Sequence, residues 1–173
     1  MMSKSERIIR AMCENDVPAI FAVQAECYGH LMQEDENTIR ARFLASPDTA
    51  WVVEDAQGVC AYLVAYRSLL GKITSLGGHF DVPHEPDSLY LHDLAIGNRG
   101  KGLGLATALI ECAWSHARAE NLRYSSLVSV QNSHAFWQKH GYRDFTQLDS
   151  SEQGKLQSYD GPAWYMTKNL GEN

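Results

Sequence analysis

Six residues, Arg99 to Gly104 (RGKGLG), carry the clearest chemistry in this 173-residue chain. Glycine lacks the β-carbon that would keep a ligand off the backbone. The N–H groups of a first helical turn face outward, and the helix dipole favours an anion there. Arg99, Gly100, Lys101, Gly102, Leu103 and Gly104 therefore read as a grip for a phosphate. Upstream lies His92, an imidazole with an ordinary pKa of about 6.5, suited to accepting a proton near neutral pH. Tyr90 precedes it by two, and strand alternation puts Tyr90, His92, Leu94 and Ile96 on one face.

Spacing decides which phosphate grip this is. A Walker A loop needs G-x-x-x-x-G-K-[ST], but Ile73, Gly102 and Leu156 follow the Gly-Lys pairs at 71–72, 100–101 and 154–155. A dinucleotide fingerprint needs G-x-G-x-x-G, and the third glycine would fall on Leu105 or Thr107. Arg-x-x-Gly-x-Gly fits, through Arg99, Gly102 and Gly104. The elements that must position it are legible on both sides. Leu89 to Ile96 has the length and composition of a strand. Leu103, Ala106, Ile110, Ala113 and Ala117 then recur at helical spacing, as one buried face.

With these residues the sequence resembles the GNAT superfamily of acyl-CoA-dependent N-acyltransferases. Leu91-His92-Asp93-Leu94-Ala95-Ile96 matches its Leu-x-x-Leu-Ala-Val strand, and the loop matches its pyrophosphate motif. The resemblance implies an α+β GNAT fold, a mixed and splayed central β-sheet flanked by helices, as one domain over 1–173. It implies acetyl-CoA as donor. Backbone groups of Leu94, Ala95 and Ile96 would pair with pantetheine, and Arg99 to Gly104 would hold the pyrophosphate, with Lys101 near a phosphate. Asn132 and Ala135 fit the family's Asn-x-x-Ala-x-x-aromatic pattern, with Gln138 in the aromatic place. Phe136, Lys139 and Gly141 match Phe-Tyr-x-Lys-x-Gly-Phe, with Tyr142 for the last phenylalanine. The tyrosine often assigned there as general acid is Trp137, and an indole N–H is a donor only. A CoA thiol, close to cysteine at about 8.5, can leave unaided.

Amine acylation requires a neutral amine, yet a free alkylamine resembles lysine at about 10.4. His92 is the candidate base. The arylalkylamine N-acetyltransferase branch looks similar, with histidine at this strand position and a second two residues earlier, where Tyr90 stands. Asp93 reads as structural, bonded to a neighbouring loop or helix N-terminus. The expected acceptor is a small primary amine, an arylalkylamine or polyamine, attacking directly in a ternary complex. Two other readings remain open: the same fold acetylating a protein N-terminus or lysine, and an acyl-CoA-binding module that has lost catalysis.

The rest of the chain must build the frame. Expected elements are a strand over 7–13, a helix from Asp16 to about Gly29 with Pro18 in its first turn, and a helix over 35–45. A hairpin follows over 50–54 and 59–67. Residues 68–88 form a long loop, a length that is usually functional or disordered. Its Asp81, Glu85, Asp87, His79 and His84 line an acceptor entrance or a solvated loop. Then come a strand over 124–130, a short helix over 132–140 ended by Gly141, and strands over 142–146 and 163–169 joined by a polar loop. Tyr28 and Phe43 sit where the resemblance builds the acceptor site, and Trp114 and Trp164 read as packing.

Composition narrows the classes. A formal net charge of −6 with no basic block disfavours a nucleic-acid partner. No apolar run nears the ~20 residues of a membrane span, and no apolar segment follows the charged N-terminus as in a signal peptide. Cys13, Cys27, Cys60 and Cys112 lie far apart, which disfavours zinc and suits reduced thiols in a cytoplasmic protein. Dimers are common in the family, and no patch in the sequence marks one, so a homodimer stays open.

Overall fold

The structure, a computed structural model, describes residues 6–29 and 33–171. The first five residues of the N-terminal stretch lie outside them. Strand β1 (Ile8–Ala11) leads to helix α1 (Val17–Cys27) and helix α2 (Glu36–Ala45). Strands β2 (Ala50–Asp55) and β3 (Gly58–Ser68) form the hairpin, and β4 (Ser88–Ile96) runs into the glycine loop and α3 (Leu105–Ala119). Strand β5 (Tyr124–Ser129), α4 (His134–Lys139), β6 (Arg143–Asp144), α5 (Ser150–Leu156) and β7 (Trp164–Asn169) complete the chain. One seven-stranded sheet has the order β1-β2-β3-β4-β5-β7-β6. The β4–β5 pair is parallel, and the β1–β2, β2–β3, β5–β7 and β6–β7 pairs are antiparallel, so the sheet is mixed.

The described residues fall into two compact units. One takes the chain up to Val64 together with Asp93–Cys112, and the other takes Ala65–His92 together with the chain from Ala113 onward. In the first unit, Val17, Ile20 and Val23 of α1 and Val52, Val53 and Leu63 of the sheet are all nearly inaccessible. Burying side chains of this size contributes about 1.5–3 kcal/mol each. In the second unit the core is aromatic, with Tyr66, Tyr90, Tyr142 and Tyr165 each under 4 % exposed.

Several expectations need correction. Asp16 does not cap α1 with its side chain. Its carboxylate instead takes a two-pronged guanidinium from Arg10 at 2.8 Å on each oxygen, and accepts the Cys13 N–H at 2.8 Å. A charged, bidentate partner is the stronger competitor for the carboxylate. Helix α1 ends at Cys27 rather than Gly29, with Tyr28 already extended. Leu103 is not on the buried face of α3; it lies before the helix, 48 % exposed. Asn132 does not open α4. It follows Gln131 in the left-handed region (φ 62°), and Ser133 is the residue before the helix. The expected strand over 142–146 shortens to Arg143–Asp144, because the Tyr142 N–H bonds back to the Trp137 carbonyl at 3.1 Å. The polar loop before β7 contains α5, which the sequence reading lacked.

The 69–87 segment has no regular structure, yet it is tied down. The Ile73 N–H donates to Glu152 Oε2 (2.7 Å), the Gly71 N–H to the Tyr165 hydroxyl (2.8 Å) and the Leu76 N–H to Ser158 Oγ (2.9 Å). The Tyr159 hydroxyl donates to the Thr74 carbonyl at 2.7 Å. Ile73, Thr74 and Phe80 are buried.

Candidate active site

The glycine loop belongs to the first unit. After Ile96 the chain turns through a 3₁₀ turn at Asn98–Gly100, and α3 starts at Leu105. The entry is clamped: the Gly97 N–H donates to the Cys60 carbonyl (2.8 Å) and the Asn98 N–H to Glu26 Oε2 (2.7 Å). Gly102 and Gly104 both take positive φ, 75° and 73°, which an L side chain resists. A β-carbon at either would meet nothing within 4 Å, so space stands open over the loop. Among the described residues, the N–H groups of 101–104 donate to no protein acceptor. Unpaired amides turned by left-handed residues make an anion-binding concavity. The loop thus fits a pyrophosphate.

Arg99 is occupied. Its Nε and Nη2 each sit 3.1 Å from an Asp55 oxygen, and Nη2 also donates to the Gly58 carbonyl at 3.2 Å. The guanidinium holds the Asp55 carboxyl below the usual carboxylate range. Arg99 therefore ties the loop to the β2–β3 turn. Lys101 is exposed, as are Gly102, Leu103 and Gly104.

Behind the loop, the last residues of β4 are held by a cluster that sequence reasoning missed. Tyr28 of the α1 end donates toward Asp93 Oδ1 (2.8 Å) and the Leu94 carbonyl (3.0 Å). Tyr62 of β3 donates to Asp93 Oδ2 at 2.6 Å. Burial, then the Asp93 charge, pushes both phenols well above their ordinary range. They stay protonated and donate to the carboxylate. Cys27 Sγ lies 3.2 Å from the Ile96 carbonyl. Burial pushes the Cys27, Cys60 and Cys112 thiols up, away from nucleophilic thiolates. Two of the partners of Asp93 are tyrosines. They are 65 and 31 residues away in the chain, beyond any local pattern.

The second unit holds Tyr90, His92 and Asn132. His92 is half-buried, with its ring edge-on to Phe80 at 5.1 Å between centroids. Tyr90 is 1 % exposed and lies 5.1 Å from the Tyr66 ring; burial holds it as a neutral phenol. Asn132 is exposed. Trp137 is packed edge-on against Phe136 (4.9 Å) and Tyr142 (5.3 Å). The Tyr142 hydroxyl accepts from Trp114 Nε1 at 2.9 Å and lies 2.7 Å from Ser125 Oγ. Burial pushes it up to about 12. Neither Trp137 nor Tyr142 is set up to release a proton near neutral pH.

A strand, a glycine loop of unpaired amides and a helix, carried on a mixed sheet, define a CoA-type acyltransferase architecture. Residues 17–142 match the Acetyltransferase (GNAT) family, and the chain belongs to that family. No curated protein matches it in sequence. Among solved structures it resembles the loading GNATL domain of CurA from Lyngbya majuscula, at TM-score 0.76 and 13% identity, covering 97% of this chain and 100% of that one. It also resembles the ribosomal-protein-S18-alanine N-acetyltransferase from Escherichia coli (TM-score 0.68, 14% identity, covering 97% and 96%). A third is the Rv2747 protein from Mycobacterium tuberculosis, solved in complex with CoA (TM-score 0.64, 16% identity, covering 94% and 98%). At these identities the likeness shows the fold.

Proposed function

We propose that this chain is an N-acetyltransferase that moves the acetyl group of acetyl-CoA to a primary amine of a small molecule, acting as one GNAT domain in the cytoplasm. The carrying observation is the loop of 101–104, whose amides have no protein acceptor among the described residues and whose two glycines take positive φ. Gly100 to Gly104 hold the pyrophosphate, with Arg99 bracing the loop and Lys101 beside it. The backbone of Leu94, Ala95 and Ile96 takes the pantetheine arm, and Asn132 is a further cofactor contact. When bound, acetyl-CoA supplies the thioester carbonyl. His92 takes a proton from the incoming amine, and Tyr90, buried and neutral, backs it. The histidine in β4 just before Leu94-Ala95-Ile96 supports an arylalkylamine as acceptor; a polyamine is the other small amine of this reading.

No helix among the described residues is long and apolar enough to cross a membrane, which accords with the proposed setting. The test is acetyl-CoA turnover with an amine panel at about pH 8. His92→Ala is expected to slow turnover by about 10²–10⁴-fold, the usual worth of a positioned base. Equal turnover in wild type and mutant removes His92 from that role. The buried Trp137 favours a second reading, a module that binds acyl-CoA without turnover. Calorimetric CoA binding with no amine consumed would select it.

A further inference from the structure

The amides of 101–104, without a protein acceptor among the described residues, follow a run of residues fastened one after another. The Gly97 N–H donates to the Cys60 carbonyl at 2.8 Å, the Asn98 N–H to Glu26 Oε2 at 2.7 Å, and the Gly100 N–H to the Gly97 carbonyl at 2.9 Å. Between them, Arg99 reaches back 44 residues to Asp55, at 3.1 Å on each carboxylate oxygen. Its Nη2 also donates to the Gly58 carbonyl at 3.2 Å. The fastening stops where the open amides begin. We propose that the β2–β3 turn is part of the donor site, with Asp55 as a positioning residue that acts through Arg99 to hold the loop amides in place for the diphosphate of CoA. The proposal deepens the acetyltransferase reading at its donor site and rests on it.

The turn is rigid at the right atoms. Asp55 ends β2, and its Oδ1 accepts the Gln57 N–H at 2.8 Å, so the carboxylate is fixed within its own turn. Its side chain is 6 % exposed, against 37 % for Arg99. A planar guanidinium on a planar carboxylate sets direction as well as distance, which an ammonium does not. The approach is also close. A β-carbon at Gly97 would come 2.9 Å from the Cys60 carbonyl oxygen and 3.0 Å from Glu26 Oε2. An anion site made of backbone amides gains from such bracing, because a loop already in its bound shape has less freedom to lose when the ligand arrives.

The same contacts decide what Arg99 does not do. Its charge is met by Asp55, with Glu26 and Arg7 as the more distant charges around the pair. The guanidinium is therefore a strut, and the loop amides meet the diphosphate. A strut and a direct phosphate ligand differ in two measurable ways. Removing the Asp55 charge strengthens a direct contact between Arg99 and phosphate, but weakens a strut. Removing Arg99 flattens the salt dependence of binding if its charge faces the phosphate, because screening acts on that attraction. Loss of a strut leaves the slope alone.

CoA binding to the full chain, measured by calorimetry, separates the two in wild type, Asp55→Asn, Arg99→Gln and the double variant. Each single variant is expected to weaken CoA about fivefold, the upper end for a partly exposed ion pair. The double variant is expected to match Arg99→Gln within about twofold, since both changes remove one strut. Arg99→Gln keeps the wild-type slope of affinity against salt. Melts of the unliganded variants check the fold; should Asp55→Asn unfold, Arg99→Gln, at an exposed side chain, carries the test through its salt slope. Tighter or unchanged CoA binding in Asp55→Asn, losses that multiply in the double variant, or a flattened slope in Arg99→Gln would overturn the role of Asp55 and leave the acetyltransferase reading standing. No CoA binding by the wild type would strike down the donor site and this proposal together.

Discussion

At the scale of residues, the loop glycines and Asp93 make the sharpest claims. Gly102→Asp or Gly104→Asp places both a β-carbon in the left-handed region and a negative charge against a phosphate grip. CoA affinity by calorimetry is expected to fall by at least about 10²-fold, since a like charge and backbone strain act together. Retained affinity would remove this loop as the donor site. Tyr62→Phe deletes one donor to a carboxylate held within the protein. The expected loss is about 1–3 kcal/mol in urea unfolding, because a half-buried carboxylate is left short of a bond. The sequence made the glycines legible, since their chemistry is local and periodic. It did not reveal Tyr28 or Tyr62 as partners of Asp93, because those contacts join separate elements and no spacing rule reaches across them.

Among elements, the strands and long helices were readable from pattern, and the short ones were not. Ser88–Ile96 and Leu105–Ala119 emerged from apolar runs and helical spacing. Helix α5, SSEQGKL, carries one apolar residue and an internal glycine, so it has no buried stripe to detect. Its start signal was nevertheless present: the Asp149 carboxylate accepts the Glu152 N–H at 2.8 Å, the N-cap pattern. Missing α5 also hid Glu152, whose carboxylate gathers Lys72 and Lys155. Gly141 ends α4 with φ 89°, as its position after the last helical turn implied. Residues 69–87 show why a long loop need not be slack: α5 and β7 take up its amides. Glu152→Ala removes the acceptor of the Ile73 N–H. Hydrogen exchange at Ile73 is expected to quicken well before global unfolding, while amides of β2 keep wild-type protection. Unchanged exchange at Ile73 would show that Glu152 does not anchor the segment.

For the whole molecule, acid is the informative stress. Arg10 holds the Asp16 carboxyl below its ordinary range, with the Cys13 amide adding to it, while burial opposes. A depressed folded pKa contributes stability above the unfolded value of about 3.9 and loses it as pH falls through the folded one. The melting temperature is therefore expected to drop as pH falls below about 4, and Asp16→Asn should lower the neutral-pH value and flatten that acid limb. An acid limb of the same slope in the mutant would assign the loss to other carboxylates. The fold class could be read from the order of elements with the family resemblance. The grouping of the chain could not, because β3 and β4 each cross from one compact unit into the other partway along, at Val64–Ala65 and at His92–Asp93.

That crossing has a practical corollary for anyone wishing to split this chain. Each unit is stitched from two separated stretches, so no single pair of cut sites releases either one intact. Truncations at 64 or at 112 sever a strand or a helix in mid-course and leave raw hydrogen-bonding edges. Fragment complementation or permutation has a better opening in the Asp55–Gly58 turn, where the backbone reverses without breaking either strand.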